Sequence, residues 1–233
     1  MASGSRVLIT PTFRMSFPNL LEPRPYMQNG KPKGDPTYNT EMLFEPDDLT
    51  KFRLYDEESG ELAEVDIRKV LVDVAKEKWD GINVKEAVAA KDLRWPIKKG
   101  SDIHAKKLKA GKKGTEYYEG MEVLNAKTGQ DYPPTLKYKD KNTWVTVARE
   151  LDTSMSKAKG LFVGGNYGYA EVSLRAIEVD GEKHITFYLN QVRFVKQGDR
   201  IGGGGSLMDR FDGIDGGETD YDPTKDMDDE IPF

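Results

Sequence analysis

Residues 167–179, YGYAEVSLRAIEV, place Ala170, Val172, Leu174 and Ala176 on one side of a two-residue period. Tyr167, Tyr169, Glu171, Ser173 and Arg175 fall on the other side. Only a strand with one buried face satisfies that period. Asp180-Gly181 follows, a dipeptide suited to the positive φ angles of a two-residue hairpin turn. The return segment, 184–195, alternates in turn and points Ile185, Phe187 and Leu189 inward. Both segments slip phase by one residue, at Ile177 and Val179 on the way out and at Val192 and Phe194 on the way back. Such slips mark β-bulges, and bulges let strands bend. Two long bent strands fit a small closed barrel.

The rest of the chain is read around this hairpin. Residues 6–17 alternate with Val7, Ile9, Pro11, Phe13, Met15 and Phe17 on one face, Leu8 being the exception, and predict a strand. Pro11 has no N–H to give a ladder and implies an edge or a bulge. Residues 22–37 are rich in Pro and Gly and predict a loop or extended arm. Residues 38–45 read as a short strand closed by Pro46, and residues 47–91 as mostly helical. In that region Ile67, Val70, Leu71, Val74 and Ala75 trace one helix face, Asp80-Gly81 supplies a stop, and a second short helix runs from Val84 to Lys91. Residues 120–126 suggest another strand, Tyr132-Pro133-Pro134 a turn, and Trp144 to Ala148 favour β structure. The expected class is mainly β (α+β), a barrel with added hairpins and one or two helices.

Charge is divided unevenly. Ile201 to Phe233 holds ten acidic residues against Arg210 and Lys225, a net of −8. The chain as a whole is −5, so the remainder is +3. Within the remainder, Arg94 to Lys113 carries eight cations opposed only by Asp102, a net of +7. This reads as a lysine-rich loop, flanked by Trp95 before it and Tyr117 and Tyr118 after it. Cations that follow phosphates beside flat rings that stack on bases are the two parts a single-strand binder needs. From Gly202 to Ser206 the chain is a Gly-rich linker, and the acidic, aliphatic-poor residues beyond it are expected to stay disordered.

Several classes fall away. The chain has no Cys and two distant His, so thiolate and multi-His metal sites cannot be built. No apolar run approaches the ~18 residues of a membrane span, and the N-terminus lacks a signal-peptide core, so a soluble, intracellular protein is expected. Gly164-Gly165-Asn166-Tyr167-Gly168 and Ala110-Gly111-Lys112-Lys113-Gly114-Thr115 lack phosphate-loop spacing, and no nucleophile elbow occurs. No enzyme, cofactor or metal is expected.

The last eight residues, DMDDEIPF, end an acidic run in Ile231-Pro232-Phe233, the tail's compact apolar cluster. A terminus of this kind can dock in an apolar pocket ringed by Lys or Arg. The segment resembles the acidic tip of bacterial single-stranded DNA-binding proteins. Tyr117-Tyr118-Glu119-Gly120, Pro133-Pro134, Gly164 to Tyr169 and the closing ITFYLNQVRFVKQGDR are similar to phage-encoded single-stranded DNA-binding proteins. That resemblance implies a five-stranded OB-fold barrel over residues 1–200 and a flexible, partner-binding tail over 201–233. It implies a protein of the infected bacterium's cytoplasm, binding single-stranded DNA without reading sequence during replication, recombination and repair.

On this reading Tyr26, Tyr38, Trp95, Tyr117, Tyr118, Tyr167, Tyr169 and Tyr188 are candidates to stack on bases. Arg14, Lys31, Lys33, Lys98, Lys99, Lys106, Lys107, Lys109, Lys112, Lys113, Arg175 and Arg193 are candidates for phosphate contacts. Asp226, Asp228, Asp229, Glu230, Ile231, Pro232 and Phe233 would recruit host or phage replication and repair proteins. The tail could also compete with DNA for the basic groove. An RNA-binding OB-fold chaperone, a nuclease, and a polyanion mimic that captures host repair proteins stay open at this stage, as does a homodimer.

Overall fold

The hairpin read first from the sequence is the spine of a computed structural model, which describes residues 6–28, 31–56 and 58–201. In chain order the elements are β1 (Arg6–Ile9), β2 (Phe13–Gln28), β3 (Lys31–Phe44), a 3-10 turn (Pro46–Thr50), β4 (Phe52–Tyr55) and β5 (Leu62–Val65). Then come α1 (Ile67–Lys78), α2 (Val84–Ala89), β6 (Leu93–Arg94), β7 (Ile97–Lys99), α3 (Gly100–Lys109) and a second 3-10 turn (Glu116–Tyr118). The described chain closes with β8 (Glu122–Gly129), β9 (Thr135–Asp140), β10 (Thr143–Thr146), α4 (Asp152–Leu161), β11 (Tyr167–Val179) and β12 (Glu182–Lys196). The class is mixed α/β, with four α-helices among the described residues where one or two were expected.

Asp180 and Gly181 both take positive φ, 52° and 79°, as the two-residue hairpin turn requires. β11 and β12 pair from Val179↔Glu182 back to Tyr167↔Lys196. The phase slip expected near Val192 is a bulge at Asn190: Val172 pairs with Leu189 and Glu171 with Gln191. Asn190 Nδ2 fills the gap by donating to Ser173 Oγ at 2.9 Å. The slip expected at Ile177 is not a bulge, because pairing there is regular and the strand end simply leaves the core. Ala170, Val172, Leu174, Ile185, Phe187, Leu189 and Val192 are all buried, as the period demands.

Around this hairpin the pairings run β2–β3, β3–β8, β8–β12, β12–β11 and β11–β2. β8 and β9 each meet β12 in parallel, in succession along its length, while the other pairs of this set are antiparallel. β1 joins the outer edge of β11, and β4 and β5 extend that side.

Several segments differ in detail from the sequence reading. The 6–17 alternation breaks at Thr10-Pro11-Thr12, where the missing N–H interrupts the ladder, and the phase inverts across the break. Leu8, the apparent exception, is therefore the buried residue of β1, and Phe17 is 43% exposed. The Pro-rich arm is a hairpin extension of β2 and β3 whose register shifts repeatedly between Ser16 and Tyr26. Residues 52–55 and 62–65 are strands rather than helix.

α1 is as read: Ile67, Val70, Leu71, Val74 and Ala75 are buried, and Asp66 caps it by accepting from the Arg68 N–H at 2.9 Å. Its end is tied to β11 by Trp79 Nε1–H donating to Glu178 at 2.6 Å. The lysine stretch is a loop only at its end, where Lys112 and Lys113 follow α3. Before that it is β6, β7 and α3, with α3 held close by Gly100, where an added Cβ would lie 1.9 Å from the Tyr118 carbonyl.

Candidate nucleic-acid interface

With the apolar side of β11 and β12 inward, their other side chains form an outward face. At one end Tyr169 stands opposite Arg193. The Arg193 guanidinium lies 5.8 Å from the Tyr169 ring centroid and 5.0 Å from that of Trp144, and one of its N–H groups donates to the Tyr169 hydroxyl at 3.4 Å. Trp144 meets Tyr169 edge-on, with centroids 6.2 Å apart and planes at 87°. It arrives on β10, paired to β9, where Lys139 stands 5.5 Å from its ring and Lys137 is in register with Arg193. Lys196 lies 4.7 Å from the Tyr167 ring. Cations over ring faces and edge-to-face rings are favourable packings that hold π surfaces and positive charge together. Arg193 Nε has no hydrogen-bond partner among the described residues, so one guanidinium N–H is uncommitted.

The other end is built across strands. Arg175 lies 5.0 Å over the Tyr188 ring. Tyr188 is in register with Lys127 on β8, Lys127 with Asn39 on β3, and Asn39 with Asn19 on β2. Asn19 Nδ2 donates to Asn39 Oδ1 at 3.2 Å, so the two amides point the same way. Three inter-strand steps make this row about 14 Å long at ~4.8 Å per step. Beside Tyr169 and Arg193 the outward surface also folds into a groove of about 650 Å³, whose lining includes Lys51, Arg53 and Gln191. A flat molecule with negative links between its flat parts suits such a surface. Among the described residues no group of three or more His, Cys, Asp or Glu could hold a metal ion.

The predicted site residues divide. Tyr167, Tyr169, Arg175, Tyr188 and Arg193 come together on this face. Tyr26, Lys31 and Lys33 are exposed on the β2–β3 arm, with Tyr26 in register with Lys33. Lys106, Lys109, Lys112 and Lys113 are exposed on and just after α3, and Lys98 and Lys99 on β7.

Four of the predicted residues have structural work instead. Tyr118 is fully buried, its hydroxyl donating to Glu41, meeting Ser16 Oγ at 3.0 Å and accepting from Lys107 at 2.9 Å. Burial and the Glu41 carboxylate push its phenol well above the usual tyrosine range, so it is a neutral core group and cannot stack on a base. Tyr38 is 8% exposed, under Arg149, whose guanidinium donates to the carbonyls of Leu20, Leu21 and Pro134. Arg14 donates to the carbonyls of Gly165 and Asp199. Trp95 packs on the core and lines an apolar cleft with Val72, Ile82, Val84 and Val88. Tyr117 is half-buried against Tyr118, centroids 4.5 Å apart. Lys107 is partly buried, which lowers its pKa. The tail residues Asp226 to Phe233 lie outside the described residues.

The sequence profile of the Enterobacter phage Enc34 ssDNA-binding protein family matches residues 6–224. The chain belongs to that family. Among solved structures, it is similar to the single-stranded DNA-binding protein from bacteriophage Enc34, at 18% identity and a TM-score of 0.52, over 88% of this chain and 89% of that one. A C-terminal truncation of that phage protein matches at 17% identity and a TM-score of 0.51, over 84% of this chain and 88% of that one. The same phage protein in complex with ssDNA matches at 18% and 0.50, over 84% and 89%. At these identities the likeness is one of fold. No curated protein sequence matches the chain.

Within this Enc34-family chain, sequence reading missed Trp144, Lys127, Lys137, Lys139 and Lys196. Trp144 sits in a four-residue strand with polar flanks, so no period assigns it a face. Lys127 and Lys137 gain meaning only through non-local pairing with β3 and β12, and Lys139 through its place opposite Trp144 in the β9–β10 hairpin. The Gly164 to Gly168 motif is a joint. The Asn166 side chain donates to the carbonyls of Gly160 and Leu161 and accepts from the Gly198 N–H. Gly165, at φ 102°, has no room for a Cβ beside the Asp199 carbonyl. The motif thereby fixes where Tyr167 enters β11.

Proposed function

We propose that this protein binds and protects single-stranded DNA without reading its sequence, in phage DNA replication, recombination and repair. The observation that carries the reading is the outward face of β12 and its neighbours. There Tyr188 and Arg175 at one end and Tyr169 and Arg193 at the other lie on the β11–β12 ladder, with Trp144 of β10 against the latter pair, in an Enc34-family chain. Rings and guanidinium planes stack on any base, and lysines meet phosphates, so neither contact distinguishes sequence. The pairing series β2–β3–β8–β12–β11–β2 is interpreted as a five-stranded OB barrel, with residues 1–200 as the binding domain. The face across β3 and β8 is then the one on which OB-folds take oligonucleotides. Lysines of α3 and the β2–β3 arm border it.

Residues 201–233 are proposed as a flexible linker and an acidic segment that recruits replication and repair proteins through Asp226 to Phe233. The support is their charge and the apolar end. The setting proposed is the cytoplasm of the infected bacterium.

The test is a titration of the full chain with labelled oligo(dT), matched duplex DNA and oligo(U), read by anisotropy and by quenching of intrinsic fluorescence. Preference for oligo(dT) is expected. Equal affinity for duplex would overturn the reading, and preference for oligo(U) would move it to RNA.

A further inference from the structure

Phe17 is the one large side chain of β2 that neither the core nor the ladder accounts for. Its ring is 43% exposed and belongs to neither apolar cluster. Its φ is 45°, in the left-handed region that a bulky L-residue avoids. The β2–β3 register breaks between Ser16 and Asn19, so Phe17 sits in a bulge without a partner on β3. Strain of this sort, kept where it adds no packing, is characteristic of residues that meet a ligand.

The surroundings say which ligand. Ser16 and Asn19, on either side of the bulge, both lie on the side of the sheet away from the main core: Ser16 is buried there against the Tyr118 hydroxyl, and Asn19 meets Asn39. Lys107 reaches over from α3 with its ammonium 4.3 Å from the Phe17 ring centroid. That ammonium is anchored, donating to the Tyr118 hydroxyl at 2.9 Å and lying 4.5 Å from the Tyr118 ring. Phe17 therefore stands on the outward side, at the β2 end of the row through Tyr188, Lys127, Asn39 and Asn19. It is an exposed flat ring beside a fixed cation.

We propose that Phe17 is a stacking platform for an unpaired base, with Lys107 placed for the adjoining phosphate, so that the strand crosses the sheet from Tyr188 to Phe17. The inference rests on the reading of this face as the single-strand interface. It gives that interface a direction, across the strands rather than along them.

The experiment uses the full chain and labelled oligo(dT), with Phe17→Leu, Phe17→Trp and Tyr188→Ala, each melted to check folding. Leu is as strained as Phe at this φ and keeps apolar bulk, so the comparison isolates the flat ring. Phe17→Leu should weaken binding roughly tenfold while leaving the salt slope unchanged, because stacking releases no counterions. Phe17→Trp should keep the affinity. If Phe17→Leu binds like the unaltered protein while Tyr188→Ala is weakened, Phe17 lies outside the interface and the inference fails alone. If Phe17→Trp is weakened as much as Phe17→Leu, the position matters for packing and not for stacking, and the inference also fails. If the unaltered protein does not bind oligo(dT), the interface and the inference fall together.

Discussion

Tyr118 and Tyr188 have the same side chain in opposite roles. The Tyr118 hydroxyl is enclosed by Ser16, Lys107 and Glu41. Tyr188 is half-buried on the solvent side of β12 with Arg175 across its ring. Tyr118→Ala should therefore cost about 3–5 kcal/mol of stability, the range for removing a large buried ring, seen as a lowered unfolding midpoint. Tyr188→Ala should leave the midpoint nearly unchanged and weaken oligo(dT) binding by about 1–3 kcal/mol. A Tyr188→Ala protein that melts early and binds normally would show the ring to be structural. The sequence separates the two only in part. Tyr188 lies in a long two-residue period that assigns it a face. Tyr118 lies in a three-residue 3-10 turn, where no period exists to assign one.

At the scale of elements, the β11–β12 hairpin and α1 were legible because each has many apolar positions in phase. α3 was not. Its buried positions are Gly100 and His104, so the helix docks by closeness of backbone and by a polar ring rather than by an apolar stripe. His104 is held there through Nδ1 and Thr115 Oγ1, 2.8 Å apart. With no stripe to find, its lysines read as a solvated loop. β4 and β5 failed for a related reason: most of their residues are exposed, and four-residue strands carry too little alternation to compete with a helical reading. The helical placement of the lysines sharpens what they are expected to do. Lys106 and Lys109 are exposed on α3, and Lys112 and Lys113 on the irregular segment just after it. Replacing all four by Ala should reduce the log–log salt slope of oligo(dT) binding by about 0.7 for each phosphate contact removed. The unfolding midpoint should barely move. An unchanged slope would mean that α3 only flanks the interface.

At the scale of the whole molecule, strand order was the least legible feature. β8 and β9 meet β12 only after α4 and β11 have intervened in sequence, and parallel pairing of such distant segments leaves no local signal. Charge distribution, by contrast, was legible outright, because it is a sum over residues and needs no pairing. The body carries +3 and the tail −8, and the two are joined by a Gly-rich linker. On the proposed reading the tethered acidic segment competes with DNA phosphates for the same cations, and salt weakens such competition by screening. Deleting residues 207–233 should therefore tighten oligo(dT) binding, most at low ionic strength, and should abolish retention of bacterial replication and repair proteins in a pull-down from host extract. Removing Phe233 alone separates the two effects. Every acidic side chain remains, so competition with DNA should persist, while the apolar anchor beside Ile231 and Pro232 is lost and retention should fall. Should the Phe233-deleted chain retain the same host proteins as the intact one, the tip is not a docking peptide. The tail would then act through charge alone, as a brake on DNA binding whose strength follows ionic strength and not the identity of its last residue.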